Sequence, residues 1–202
     1  MNVLAPPSVR RLDLDPSITR FLFLRHGRTA YNLQRIVQGH TDIPLDAVGR
    51  EQAVAAAELL AGRGGIARIV SSDLSRASAT AQAVASRLAL PLLLDPDLRE
   101  RGFGPFEGGP AIPGLWSRDA EDMETLEAFS GRIARALSRH LDTSSSLLVA
   151  HGGVLRVLGL MLGVTISDDL VRNAAPLAFS RTDADWQVTD WQVTDLSVAI
   201  NL

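Results

Sequence analysis

Two short apolar runs each end in a histidine followed by glycine. Phe21, Leu22, Phe23 and Leu24 lead into Arg25, His26 and Gly27, and Leu147, Leu148, Val149 and Ala150 lead into His151, Gly152 and Gly153. A continuous apolar run of this length is the pattern of a strand buried on both faces, as in a parallel sheet. The pattern predicts strands over 20–25, 66–71, 91–95 and 146–150, with helices between them. One helix is predicted over 46–62. Asp46 caps it, Val48, Ala55, Ala56, Leu59 and Leu60 give it an apolar side, and Gly62, Gly64 and Gly65 stop it. A second is predicted over 73–88. A third is predicted over 121–141, where Leu126, Phe129, Ile133, Leu137 and Leu141 recur every three or four positions. A last helix is predicted over 154–162, ended by Gly163. This alternation implies an α/β fold: a three-layer α/β/α sandwich with a mostly parallel, doubly wound sheet.

The segments left over carry the organisation. Residues 1–19 contain charges and prolines and no apolar h-region, and read as a loose N-terminal extension rather than a secretory signal. Residues 20–202 read as one domain, within the size a single core supports. Residues 28–45 are irregular, with room for one helical turn. Residues 102–118 hold five glycines and three prolines, too long a loop for a plain connector. The stretch 102–120 is therefore expected to act as a lid. Near the end, Trp-Gln-Val-Thr-Asp occurs at 186–190 and again at 191–195. The odd period turns equivalent side chains to opposite faces of a strand, and a terminal hairpin or edge strand is expected there.

Composition narrows the chemistry. There is no cysteine, which removes disulfides, thiolate nucleophiles and cysteine metal sites. There is no lysine either; all 20 basic side chains are arginine, so Schiff-base and lysine-base chemistry are removed as well. The formal charge of −3 speaks against a nucleic-acid partner. No apolar stretch reaches membrane-spanning length, and a cytoplasmic protein is expected.

Ligands of open α/β sheets bind beyond the carboxyl ends of the strands. Five polar side chains are predicted there: Arg25 and His26 after the first strand, Arg76 in the first turn after the second, Glu100 after the third, and His151 after the fourth. Phosphoryl transfer needs a nucleophile or positioned water, cations for the equatorial oxygens and an acid for the leaving group. Neutral imidazole is a competent nucleophile, and arginines match phosphate geometry. The set fills these roles without a metal, and the remaining acids, including Asp42 and Asp73, form no metal-ligand pattern.

Several segments, in this order, resemble the histidine phosphatase superfamily, also called phosphoglycerate-mutase-like. They are residues 24–29 (Leu-Arg-His-Gly-Arg-Thr), Gln38 with Gly39, 42–45, 71–77, 98–104 with 106–108, and 151–153. The resemblance spans roughly residues 20–175. It implies a phosphoglycerate-mutase-like fold and a phosphatase that needs no cofactor. His26 matches the residue that becomes phosphohistidine, and Arg25 and Arg76 match the phosphate clamp. His151, with Gly152 after it, matches the second pocket histidine, and Glu100 matches the acid. Thr29, Asn32, Gln38 and Gly39 match positions that reach the phosphate or orient His26. The implied substrate is a small phosphorylated metabolite, in the style of broad-specificity and α-ribazole-phosphate phosphatases. Phosphoprotein or phosphohistidine phosphatase, phosphoglycerate mutase and a silent binding protein stand behind this reading. The arginine-poor stretch 105–145 speaks against the mutase, and Glu100 against a phosphohistidine substrate.

Some roles stay open at this level. Glu107 rivals Glu100 as the acid. His40 lies in a loop near the site, and His140 reads as a solvated residue of a helix's last turn. Arg28, Arg99 and Arg101 read as surface or partly solvated charges. Phe103, Phe106 and Trp116 fit either a substrate cap or loop anchors. Monomer and homodimer are both compatible with the sequence.

Overall fold

The computed structural model describes residues 9–183 and 185–191. The chain runs β1 (Arg20–Arg25), α1 (Ala30–Gln34), α2 (Ala47–Arg63), β2 (Arg68–Ser71), α3 (Ser75–Leu88), β3 (Leu92–Leu94), α4 (Leu126–His140), β4 (Ser146–Ala150), α5 (Gly152–Leu162), β5 (Pro176–Thr182) and β6 (Asp185–Asp190). These strands form one sheet in the order β3-β2-β4-β1-β5-β6. The first four are parallel, and β5 and β6 extend the sheet antiparallel beside β1.

Alternation along β1 builds both outer layers. Phe21 and Phe23 pack with Phe129 and Ile133 of α4 and Leu155 and Leu158 of α5. Leu22 and Leu24 pack with Ala56 and Leu60 of α2 and Ala81 and Val84 of α3. All four of these side chains are buried, which is why β1 is apolar at each position between its terminal arginines. The fold is the expected three-layer α/β/α sandwich. Its parallel strands deliver their carboxyl ends to one edge.

Local chemistry shifted several boundaries. Helix α4 begins at Leu126 rather than 121, because Thr125 accepts a hydrogen bond from the Ala128 N–H and caps it. The preceding acids are used in loop contacts: Asp119 Oδ1 accepts from the Leu126 N–H and Arg101, and Glu124 pairs with Arg132. Helix α3 begins at Ser75 rather than 73, with Asp42 from the 28–45 loop accepting from the Ser75 N–H at 2.8 Å. Helix α5 begins at Gly152, two residues early, with His151 at its N-cap.

The amino-terminal segment is not loose where it is described. Val9, Leu14 and Ile18 are buried in the α4/α5-side core, and the Leu12 N–H donates to the Met161 carbonyl. Strand β6 is the edge strand expected near the repeat. Trp186 packs on Phe21 on one face of the sheet, while Trp191, the first residue of the second copy, is buried in the core on the other. The odd period has that consequence, and both tryptophans find apolar cover because both faces of the sheet are covered. The rest of the second copy lies outside the described residues. No helix among the described residues is long and apolar enough to cross a membrane.

Candidate active site

At the carboxyl edge of the sheet lies a cleft of about 210 Å³, lined by Arg25, His26, Asn32, Gln38, Gly39, Arg76 and Glu100 on its polar side. The parallel strands bring the charged groups together: β1 ends on Arg25 with His26 directly after it, α3 after β2 carries Arg76, and the turn after β3 carries Glu100. His151 follows β4 and stands behind His26, ring centroids 5.2 Å apart.

His26 is held in one tautomer. Its Nδ1 lies 2.7 Å from the Gly27 carbonyl, and a carbonyl only accepts, so Nδ1 carries the proton. That leaves the Nε2 lone pair free. The backbone is fixed from both sides: the His26 N–H donates to the Ala150 carbonyl of β4, and the His26 carbonyl accepts from Asn173 Nδ2 at 2.9 Å. Burial, then the charges of Arg25 and Arg76, push the His26 pKa well below its usual value and keep the ring neutral.

The arginines are aimed by bonds at their far ends. Arg76 is fully buried; its two terminal nitrogens donate to the Thr41 and Gly39 carbonyls at 3.0 and 2.8 Å. Arg25 donates one terminal nitrogen to the Val171 carbonyl at 2.7 Å. Each leaves a buried Nε without a hydrogen-bond partner, and so does Nδ1 of His151, whose Nε2 meets Ser72 Oγ at 2.9 Å. Buried polar atoms are nearly always satisfied. Three of the five orphaned nitrogens among the described residues belong to these site side chains, the other two being on Arg181 and Trp191, and a bound anion is what the two guanidinium N–H groups here could take. Desolvation lowers the Arg25 pKa to about 10, with Glu100 opposing it, so the guanidinium stays charged near neutrality. Desolvation also lowers Arg76, against the pull of Glu100, Asp42 and Glu107.

Glu100 reaches the cleft from the far side. Its Oε1 accepts from the Arg101 N–H at 2.9 Å and its Oε2 from the Gly153 N–H at 3.0 Å. A Cβ at Gly153 would stand 2.2 Å from Glu100 Oε1, so the carboxylate uses space only glycine leaves. Glu107 is not among the residues that line the cleft. It accepts from the N–H groups of His40, Thr41 and Phe103 and from the Thr41 hydroxyl. Burial would raise its pKa, but these bonds outweigh burial and hold it lowered. Gly39, at φ +53°, lies against Glu107, where a Cβ would stand 1.9 Å from Oε1.

Thr29 is placed differently from its expected role. It is fully buried, caps α1 in a reciprocal bond with Asn32, and directs its hydroxyl toward Asn32 Oδ1 and Gln38 Oε1. It positions these two amides and does not line the cleft. Gly152 also lies off the lining; a Cβ there would stand 3.6 Å from Arg25 Nε.

Two further readings, for Arg101 and His140, are corrected, and the open ones for His40 and Phe103 are narrowed. Arg101, expected at the surface, is fully buried and donates to the Glu124 and Trp116 carbonyls and to Asp119. His140 is not simply solvated: Nε2 meets Asp95 Oδ2 at 2.7 Å. His40 turns its Nε2 to the Glu100 carbonyl at 2.8 Å. Phe103 is a loop anchor, buried with Val37, Leu115 and Met123. Arg28 and Arg99 pair with Asp46 and Asp73.

The sequence did not single out Asn173, Ser72, Thr80 or Arg132. Thr80 Oγ1 accepts from the Gly27 N–H and donates to the Arg76 carbonyl, tying the segment after β1 to the first turn of α3. Arg132 donates to the carbonyls of Asp97, Arg99 and Glu100 and to both oxygens of Glu124. Among the described residues no cluster of histidine, aspartate and glutamate is arranged to hold a metal ion.

The fold and the cleft define an α/β protein whose strand carboxyl ends open on an arginine-lined cleft beside a buried histidine held neutral. Residues 21–194 match the Histidine phosphatase superfamily (branch 1), and the chain belongs to that family. It is 38% identical over 182 residues to the agropine synthesis reductase of Rhizobium rhizogenes, covering 85% of this chain but 42% of that protein's length. It is 34% identical over 175 residues to the glucosyl-3-phosphoglycerate phosphatase of Mycolicibacterium vanbaalenii, covering 75% and 77% of the two chains. Among solved structures, a mycobacterial glucosyl-3-phosphoglycerate phosphatase in complex with VO3 superposes with a TM-score of 0.70 at 30% identity, covering 86% of this chain and 98% of that one.

Proposed function

We propose that the chain is a phosphomonoester hydrolase that works through a phosphohistidine on His26, needs no metal, and acts on a small phosphorylated metabolite. The observation that carries this reading is the fixed tautomer of His26: Nδ1–H is engaged by Gly27 and the Nε2 lone pair is free beside Arg25 and Arg76.

Arg25 and Arg76 hold the equatorial oxygens of the ester through their free N–H groups, and Nδ1 of His151 engages the same phosphoryl group. The Nε2 lone pair of His26 attacks phosphorus in line. The P–O bond to the alcohol breaks, and Glu100 gives a proton to the leaving oxygen. A water molecule then attacks phosphorus while Glu100 takes its proton back. The N–P bond breaks, its electron pair returns to Nε2, and phosphate leaves. The developing charge is met by guanidiniums that are already oriented by Thr41, Gly39 and Val171, so little reorganisation is needed.

Hydrolysis of p-nitrophenyl phosphate in EDTA tests the reading. Wild-type protein turns over, and His26→Asn loses at least about 10³-fold, the scale of removing a catalytic nucleophile. Activity retained in His26→Asn would contradict the assignment, and activity lost to EDTA would contradict metal independence.

A further inference from the structure

Beyond its phosphate end, the cleft is walled by apolar side chains: Ile36, Val37, Phe103, Ile112, Leu115 and Trp116. Val37, Phe103 and Leu115 belong with Met123 to a small apolar cluster separate from the two cores that sandwich the sheet. This wall is firmly built. The Val37 N–H donates to the Gly109 carbonyl, the Gly108 N–H to Val37 and the Ala111 N–H to Arg35, and Arg101 holds the Trp116 carbonyl at 2.9 Å. Ile112 stands 42% exposed at the mouth, a large apolar surface left facing the cleft and solvent.

The charged residues lining the cleft are Arg25, Arg76 and Glu100, all committed to the phosphoryl group and its leaving oxygen. Arg156 stacks on the Trp116 ring but is engaged by Asp168 at 2.6 Å. A second anion on the substrate would meet no cation among the lining residues, and a polyol would be desolvated against carbon. Methylene groups gain by the same burial.

We infer, building on the phosphatase reading above, that the organic part of the substrate is an uncharged apolar alcohol, aliphatic or aromatic. Esters bearing a second phosphate or a carboxylate are poor substrates. The cleft is smaller than the roughly 300 Å³ at which drug-sized sites begin, so the phosphoryl group and a short stretch of the alcohol fill it, and a longer one runs out over Ile112.

The experiment compares kcat/KM for ethyl, butyl and hexyl phosphate, whose leaving alcohols have similar acidity, with glycerol 1-phosphate and 3-phosphoglycerate. Expected is a rise of up to about fourfold per buried methylene, hexyl phosphate exceeding glycerol 1-phosphate by about 100-fold, and 3-phosphoglycerate below both. Ile112→Ser, at an exposed position that folding does not depend on, flattens the chain-length series through KM of the longer esters. If p-nitrophenyl phosphate is hydrolysed but glycerol 1-phosphate or 3-phosphoglycerate matches hexyl phosphate, or Ile112→Ser leaves the series as steep, this inference alone is overturned. If p-nitrophenyl phosphate itself is not hydrolysed, the phosphatase reading fails and takes this inference with it.

Discussion

Arg132→Met removes the brace behind Glu100. Arg132 is 8% exposed and donates to the carbonyls of Asp97, Arg99 and Glu100, and its fork grips Glu124 at 2.7 and 2.8 Å. Burial raises the Glu124 pKa, and the Arg132 bonds outweigh it. Methionine keeps the length of the side chain but leaves a half-buried carboxylate and three carbonyls without these donors. Breaking a buried ion pair by removing one partner costs about 3–5 kcal/mol; partial exposure of Glu124 places this case near about 3. For a domain of this size that is a fall in Tm of about 6–12 °C. The catalytic effect is selective. Glu100 loses its fixed approach to the leaving oxygen, and general-acid catalysis is worth about 10²–10⁴-fold. Alkyl phosphate hydrolysis falls at least about tenfold, while p-nitrophenyl phosphate, whose leaving group hardly needs a proton, changes little. Calorimetry and kcat/KM on paired esters read both effects. A Tm within 2 °C of wild type, or equal losses on the two esters, would refute the reasoning.

Two other outcomes follow from the same geometry. Gly153→Ala pushes a Cβ to 2.2 Å from Glu100 Oε1, in the first turn of α5; alkyl ester turnover falls while urea stability holds or rises, since alanine favours helix by up to about 1 kcal/mol, and an unchanged ester ratio would contradict the placement of Glu100. Burial, ahead of nearby positive charge, pushes both His26 and His151 well below 6.5, so below that pH the unfolded chain binds protons the folded chain does not, and folding stability falls as pH is lowered from about 6.5 to 5, by up to about 1.4 kcal/mol per pH unit for each histidine. Urea titrations across that window should show this slope, roughly halved in His26→Asn, and stability that is flat with pH would show that the histidines are not buried neutral.

The strands and the main site residues were legible because each sits at a discontinuity in the pattern. An apolar run stops and a histidine or arginine begins, as at Arg25 and His151. Arg76 and Glu100 lie further on, five and six residues past the ends of β2 and β3, and were legible from the strand–helix alternation instead. Strand β5 escaped notice because it opens on Pro176 and ends in polar residues, with burial confined to its first half. The buried arginines were illegible for a different reason. Nothing local distinguishes Arg101 or Arg132 from surface charges. Their burial is set by carbonyls and carboxylates that loops 97–100 and 116–124 bring to them. Glu100 and Glu107 are seven residues apart, and what separates them, a place on the cleft lining and the donors around each carboxylate, comes only from the folded chain. Thr29 matched a phosphate-reaching position, and its hydroxyl is instead used in positioning Asn32 and Gln38.

The central claim is a covalent phosphoryl group on Nε2 of His26. Phosphohistidine is labile in acid and stable in base, so the protein is mixed with substrate in EDTA, quenched in denaturant at alkaline pH, digested and mapped by mass spectrometry. The account predicts one phosphoryl group on the peptide containing His26, absent in His26→Asn and accumulating when Glu100→Gln slows the attack of water. A phosphoryl group on any other residue, or turnover with no trapped intermediate under these conditions, would contradict it.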